Sequence, residues 1–301
     1  MISKIKLHKE GPEFSRLVYG AWRLNEDKEG TSTSRILKKV EACLEIGIST
    51  FDHADIYGDY SCEELFGKAL KANPSLYSRL EIVSKCDIML ISSKHKSTFV
   101  KHYDSSKEHI IKSVENSLKN LGVEKLDLLL LHRPDPILNP EEVSLAFQAL
   151  KKSGKVLHFG VSNFTASQVS MLSSYLEFPI VTNQIEIHLN RLDSFHDGTL
   201  DQCLEKRFSP MAWSPFAGGK LLSNQIKPEL EKVLNQYSEK KSCTREELLL
   251  SWLCFTPHKI LPIIGTNQIE RIHACKNFES VKLDRQEWFD IYSSALGKEV
   301  P

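Results

Sequence analysis

LDLLLLHRPDP, residues 126–136, is the stretch from which the fold can be read. Leu126 to Leu131 is apolar at every position except Asp127. That is the pattern of a strand covered on both faces, as happens in a parallel sheet whose crossover helices lie over it. The run then breaks abruptly into His132, Arg133 and Asp135. Seven more short apolar runs occupy residues 16–22, 48–52, 80–85, 156–163, 180–186, 209–214 and 260–266. Helical patterns alternate with them, the order expected of βα units. Eight such units predict a closed (β/α)8 TIM barrel, with 1–301 read as a single domain.

The helices carry their own punctuation. Ile36, Leu37, Val40, Cys43 and Leu44 share one face, and Gly47 stands where a left-handed C-cap belongs. Asn139-Pro140-Glu141-Glu142 reads as an N-cap, a first-turn proline and two acids, ahead of an apolar stripe that ends at Gly154. Two helices are expected between the last two runs, another over residues 269–278, and a final one near 284–296. Residues 1–15 are predicted to form a β-hairpin under the barrel, turning at 9–12. Residues 87–105 are a longer polar segment of the kind that carries function or moves.

Composition narrows the function. The 39 basic residues balance the 39 acidic ones, so no overall field draws nucleic acid or an anionic membrane. The N-terminus lacks a signal-like apolar stretch and no run is long enough to span a bilayer, which predicts a cytoplasmic protein. The seven cysteines are odd in number and contain no CxxC pair, pointing to reduced thiols and not to disulfides or zinc. No metal motif is present. The Asn163-Phe164-Thr165 sequon is not expected to be used in that compartment.

Barrel enzymes build their active sites where the strands end, and these strand ends are polar. Asp52 and Tyr57 follow the second run, Lys85 ends the third, and His132 ends the fourth. Neighbouring strands lie ~5 Å apart, which lets Asp52 and Lys85 pair beneath Tyr57. A lysine cation beside a phenol favours its ionised form and draws its pKa from ~10 toward neutrality. The plainer alternative is a structural ion pair, with Tyr57 and His132 satisfying each other at the rim. Single residues leave both readings open; the convergence of four titratable groups favours a functional site.

These residues resemble the aldo-keto reductase family. Its D-x-A-x-x-Y, strand-end lysine and strand-end histidine are matched by Asp52, Ala54, Tyr57, Lys85 and His132. Gly20-Ala21-Trp22, HRPDP, GVSNF, NQIE, WSPFAGG and IIGTNQIERI follow in the family's order over nearly the whole chain. The resemblance implies reduction of a small carbonyl compound with NADP(H), Tyr57 donating the proton and Trp22 and Arg23 lining the substrate pocket. It implies that Ser162, Asn163 and Gln184 hold the nicotinamide carboxamide and that Trp213 stacks on the ring. Ser214, Pro215, Phe216 and Gly218 would wrap the diphosphate, with Gly265, Thr266, Asn267 and Arg271 at the adenosine end.

Two positions depart from the family pattern. Gly265 replaces a frequent basic residue, and Ala274-Cys275 replaces an acid–asparagine pair; both bear on the preference for NADPH. The chain ends soon after its last helix, which predicts a wider pocket than in relatives with a long C-terminal loop. The 87–105 loop adds Lys94, Lys96, Lys101 and His102, either a rim for acidic substrates or solvated charge. Two rival functions differ in class. One is an NADP(H)-sensing regulatory module acting through a protein partner. The other is a hydrolase or lyase using Asp52, Asp55 and His132, which would leave SNF and WSPFAGG without a role. Substrate identity and oligomeric state are not written in the sequence.

Overall fold

The computed structural model describes residues 1–223 and 225–301. Strands β1 (Lys4–Lys6) and β2 (Glu13–Ser15) form an antiparallel hairpin. The barrel strands are β3 (Val18–Gly20), β4 (Thr50–Asp52), β5 (Glu81–Cys86), β8 (Leu126–Leu131), β9 (Val156–Ser162), β10 (Ile180–Glu186), β11 (Met211–Trp213) and β12 (Leu261–Ile264). A short antiparallel pair, β6 (Ile88–Met89) and β7 (His102–Tyr103), rises from the loop after β5. The barrel closes in the order β10-β11-β12-β3-β4-β5-β8-β9 with every pair parallel. All eight apolar runs in the sequence are barrel strands.

The leucine run shows why the strands read as they do. Leu128 and Leu130 point into the barrel, where they pack with Val18, Val83, Val181 and Met211. Leu129 and Leu131 point outward into the larger cluster beneath the helices. Asp127, the polar exception, accepts a hydrogen bond from the Ile82 N–H at 2.7 Å. Leu7 and Phe14 of the hairpin plug the lumen from below. Ser15 Oγ accepts from the Ser49 and Thr50 N–H groups at the start of β4, which fixes that plug in place.

The helix signals hold. Gly47 caps Thr33–Ile46 at φ 99°, and the Asn139 side chain caps Pro140–Lys152 by accepting from the Glu141 N–H. Pro228–Lys241 and Arg245–Cys254 lie between the last two barrel strands, and Arg285–Leu296 follows the barrel. One expectation is corrected: the helix after β12 covers only Ile269–His273, not 269–278. The chain leaves it because Cys275 and Phe278 must both turn into the core, where each is essentially buried. The 87–105 segment is also more ordered than a plain polar loop. Besides the β6–β7 pair, it is closed at its base by the Asp104 N–H on the Asp87 carbonyl at 2.7 Å. Among the described residues, no helix is long and apolar enough to cross a membrane.

Gly67 sits inside Cys62–Ala72, where alanine would ordinarily be the better helix former by about 1 kcal/mol. A Cβ there would lie 2.0 Å from the Asn120 carbonyl oxygen and 2.8 Å from the Leu121 backbone, both in Lys107–Leu121. Backbone cannot yield as a side-chain tip does. Gly67→Ala should therefore destabilise the protein by ~2 kcal/mol or more, read as a lower urea midpoint; a gain in stability would show that the two helices separate freely.

Candidate active site

Four strand ends meet at the floor of a cleft of about 870 Å³ that runs across the C-terminal mouth of the barrel. Lys85, fully buried, is at its centre. Its ammonium donates to Asp52 Oδ2 at 2.7 Å, the His53 carbonyl at 2.8 Å and the Tyr57 hydroxyl at 3.0 Å. All three N–H donors of a lysine are used. Tyr57 is brought over the lysine by the loop after β4, in a tight turn where Gly58 and Asp59 take positive φ values of 60° and 54°. His132 meets the Tyr57 ring edge-on, with centroids 5.8 Å apart.

Asp52 has a second partner. Gln184 Nε2 donates to its Oδ1 at 2.9 Å, so both carboxylate oxygens are engaged. Next to Gln184, Asn163 adopts φ 62° and gives its amide to Ser162 Oγ at 2.8 Å and to the His132 carbonyl at 3.3 Å. Trp213 Nε1 in turn donates to Asn163 Oδ1 at 3.0 Å, which pins the indole against the cleft. Ser162, Asn163, Gln184 and Trp213 thus form one hydrogen-bonded floor continuous with the Asp52–Lys85–Tyr57 group.

The ionisation states follow from burial and neighbours. Burial pushes the Tyr57 phenol up, Lys85 pulls it down and Asp52 pushes it up again; the net displacement is upward. This corrects the expectation that the lysine draws the phenol toward neutrality: with Asp52 cancelling much of the lysine's field, desolvation wins, and Tyr57 is a protonated acid at pH 7. For Lys85, burial pulls down, but Asp52 and Tyr57 together raise it above its ordinary value. Burial, then the charges of Lys85, Arg133 and Lys101, hold His132 well below the usual histidine range, so its ring is neutral.

The other half of the cleft includes turns with unusual backbone conformations. Ser214, Ala217, Gly218 and Gly219 all have positive φ, and Pro215 and Phe216 complete that turn. A Cβ added at Gly219 would touch nothing, and one at Gly218 would meet only the Arg23 guanidinium, at 4.0 Å. Opposite, Gly265, Thr266 and Asn267 lead into the short helix that carries Arg271 on the cleft wall. Asn267 is a structural tie. Its amide donates to the Arg23 carbonyl at 2.6 Å, and its Oδ1 accepts from the buried Lys39 at 2.8 Å.

Trp22 is 53% exposed at the rim, with the Arg23 guanidinium 5.2 Å from its ring centroid. Both residues line the cleft, and the Arg23 guanidinium lies near Gly218 as well as over Trp22. Asp55 is not part of the group around Tyr57; it is turned outward, accepting from Ser113 Oγ at 2.7 Å. Arg133, read at the fourth strand end, and Lys101, read on the 87–105 loop, both line the cleft with His132. One group escaped the sequence reading: Asp27, which pairs with both Arg35 and Lys39, locks the loop after β3 to the wall. Arg133 was legible as the residue after His132; the Asp27 pairings join positions eight and twelve apart and carry no spacing signal.

The aldo/keto reductase family model matches residues 16–295. The chain belongs to the aldo/keto reductase family. It is 46% identical to the uncharacterised oxidoreductase YcsN of Bacillus subtilis over 298 residues, covering 97% of this chain and 98% of that one. It is 45% identical to a 6-dehydroglucose reductase of Agrobacterium fabrum over 288 residues, 96% of each chain. A crystal structure of a thermostable aldo-keto reductase, solved with the inhibitor epalrestat, superposes with a TM-score of 0.82 at 25% identity, covering 97% of this chain and 100% of that one. Like these relatives, this aldo/keto reductase is an oxidoreductase.

Replacing Lys85 with Met leaves Asp52 a buried carboxylate with Gln184 alone. Breaking one side of a buried ion pair costs ~3–5 kcal/mol, so Lys85→Met should lower the denaturant midpoint by that equivalent. A midpoint within experimental error of the wild type would mean that the pair is not desolvated.

Asp55 gives a pH signature. Burial, partly opposed by Ser113, raises its carboxyl to about 7, while an unfolded aspartate titrates near ~4. Between those values the folded protein binds the extra proton, so stability must fall as pH rises from about 4 through about 7. Glu63 and Asp87, also pushed up by burial, add slopes of the same sign. Asp55→Asn should flatten the loss between pH 5 and 8 by a few kcal/mol. Parallel unfolding curves for the two proteins across that range would remove Asp55 as a contributor.

Proposed function

We propose that this protein reduces small aldehydes and ketones to alcohols with NADPH, with Tyr57 as the general acid. The observation that carries the reading is the Asp52–Lys85–Tyr57–His132 group at the floor of a cleft whose other half contains the glycine turn at Gly218 and Gly219. That half suits a dinucleotide: open positive-φ turns at Ser214 and Gly218 allow close approach to a diphosphate, and the start of the Ile269–His273 segment presents N–H groups. Ser162, Asn163 and Gln184 would face the nicotinamide carboxamide and Trp213 the ring. Arg23 belongs with the diphosphate in this reading, and Arg271 with Thr266 and Asn267 at the adenosine 2′-phosphate, which is the reason for proposing NADPH over NADH.

When bound, the nicotinamide supplies a hydride to the carbonyl carbon. The chain's own residues handle the oxygen. Tyr57 O–H, protonated at neutral pH, donates to it as negative charge develops. Lys85 then stabilises the phenolate left behind, and Asp52, held by Gln184, keeps that lysine in line. His132, neutral, donates a hydrogen bond that orients the substrate oxygen without competing for the proton. The names of the Agrobacterium relative and its kind make an oxidised sugar a reasonable member of the first substrate panel.

Tyr57→Phe removes one oxygen that the proposed cofactor site does not use. It should leave the NADPH dissociation constant within about twofold by fluorescence quenching, with NADPH binding more tightly than NADH in both proteins. Aldehyde turnover should fall by at least ~10²-fold. Full turnover in the mutant would take Tyr57 out of the chemistry. Tight NADPH binding with negligible turnover in the unmodified protein would instead favour a cofactor-sensing module.

A further inference from the structure

The cleft's substrate end is electrically one-sided. Two of its cations, Arg133 and Lys101, have no carboxylate within salt-bridge distance among the described residues. The third, Lys85, is neutralised by Asp52 at 2.7 Å. Of the cleft's other acids, Asp27 is committed to Arg35 and Lys39 and Glu29 to Arg35, Glu246 lines the wall with Arg271, and Glu26 lies on the loop after β3 that follows Trp22 and Arg23. Asp87 accepts from the Arg133 backbone N–H at 3.1 Å and forms no salt bridge with its side chain. Burial pushes that carboxyl well above its ordinary range, which weakens it as a counter-charge.

Arg133 is also held for a purpose. Its guanidinium carbon lies 6.0 Å from the centroid of the Trp213 ring, and Trp213 is itself fixed by Asn163. The side chain makes no hydrogen bond within the described residues, so its five donors face open space beside His132. Lys101 reaches the cleft from the end of the β6–β7 excursion. Of the basic residues on that loop, Lys94 is spent on the Tyr60 carbonyl at 2.9 Å and His102 on the Val100 carbonyl at 2.8 Å. The field of both free cations is felt at His132, whose protonation they oppose.

We propose that the preferred substrate is an oxo-acid, an aldehyde or ketone with a carboxylate a short chain from its carbonyl, and that Arg133 with Lys101 binds the carboxylate. The inference rests on the reductase reading above. The carbonyl carbon gains the hydride, its oxygen gains the Tyr57 proton, and the carboxylate passes through unchanged as the handle that sets the pose. A planar guanidinium can take both oxygens of a carboxylate in parallel, which neither an ester nor a hydroxyl reproduces.

The test is steady-state reduction, with NADPH and with NADH, of succinic semialdehyde, its methyl ester, butanal and D-glyceraldehyde. Succinic semialdehyde should exceed its ester and butanal in kcat/KM by about tenfold or more, mostly through KM. Arg133→Ala should bring that ratio to within about threefold of one, and Arg133→Lys should fall between, keeping charge but losing the fork. The Arg133 side chain gives up no hydrogen bond or salt bridge within the described residues, only its contact with the Trp213 ring, so both variants should fold. A ratio that Arg133→Ala leaves unchanged overturns the assignment. So does a preference for D-glyceraldehyde or the ester, which would mean that these cations serve neutral oxygens. Turnover of the neutral aldehydes alone would spare the reductase reading while ending this one; no turnover of any of the four would end both.

Discussion

An ammonium group buried at the floor of a barrel must find three acceptors or lose its charge. Lys85 finds them in Asp52, the His53 carbonyl and Tyr57. Taking the charge out of water costs several kcal/mol, and only a close, fully hydrogen-bonded partner set offsets it. That requirement fixes more than one residue. β4 and β5 must be adjacent and in register, with Asp52 opposite Val83. The loop after β4 must double back tightly enough to return Tyr57 to the lysine. Gln184 must come from β10, which stands diametrically across the eight-strand ring from β4. The Gln184–Asp52 bond therefore spans the lumen, tying opposite walls together at the depth where the cleft begins.

The same network separates two electrostatic jobs. Within it the charges of Lys85 and Asp52 oppose each other and desolvation keeps the phenol protonated, which is the state that the proposed reduction requires of Tyr57. Outside it, Arg133 and Lys101 are uncompensated and set the field that a substrate meets on entry. A mouth lined by low-dielectric walls strengthens such a field relative to open water. In the proposed reaction the central group sets protonation, while the rim sets the field that a substrate meets.

Much of this was legible in the sequence because it is written locally. LDLLLL announces a doubly covered strand, Asn139-Pro140 and Gly47 mark helix ends, and every strand end exposes its polar residues within a few positions of an apolar run. What the sequence does not carry is the competition between terms of opposite sign. Lys85 beside Tyr57 reads as a lowered phenol pKa, yet burial and Asp52 reverse it, and neither contribution can be sized without coordinates. Likewise Gln184 and Asn267 read as ligand-facing amides, and although both line the cleft, each also ties the protein together, Gln184 to Asp52 and Asn267 to the Arg23 carbonyl and Lys39. The helix after β12 read as ten residues because its apolar positions continue to Phe278; the core takes Cys275 and Phe278 through a turn instead.

Rigid and adaptable parts of the cleft also differ in what they are made of. The catalytic floor is built from strand ends and side chains whose polar atoms are already committed, so it is set before any ligand arrives and little ordering remains to be done. The two flanks are built differently. On one side, the positive-φ turn at Gly218 and Gly219 offers backbone without side chains; on the other, Lys101 comes from a two-stranded excursion closed at its base by the Asp104–Asp87 hydrogen bond. Changes in either flank alter what binds while leaving the Asp52–Lys85–Tyr57 geometry untouched. Arg133 and the 87–105 segment give no side-chain hydrogen bond to the Asp52–Lys85–Tyr57 group, so changes there reach the proposed proton chemistry only through the field they set at His132.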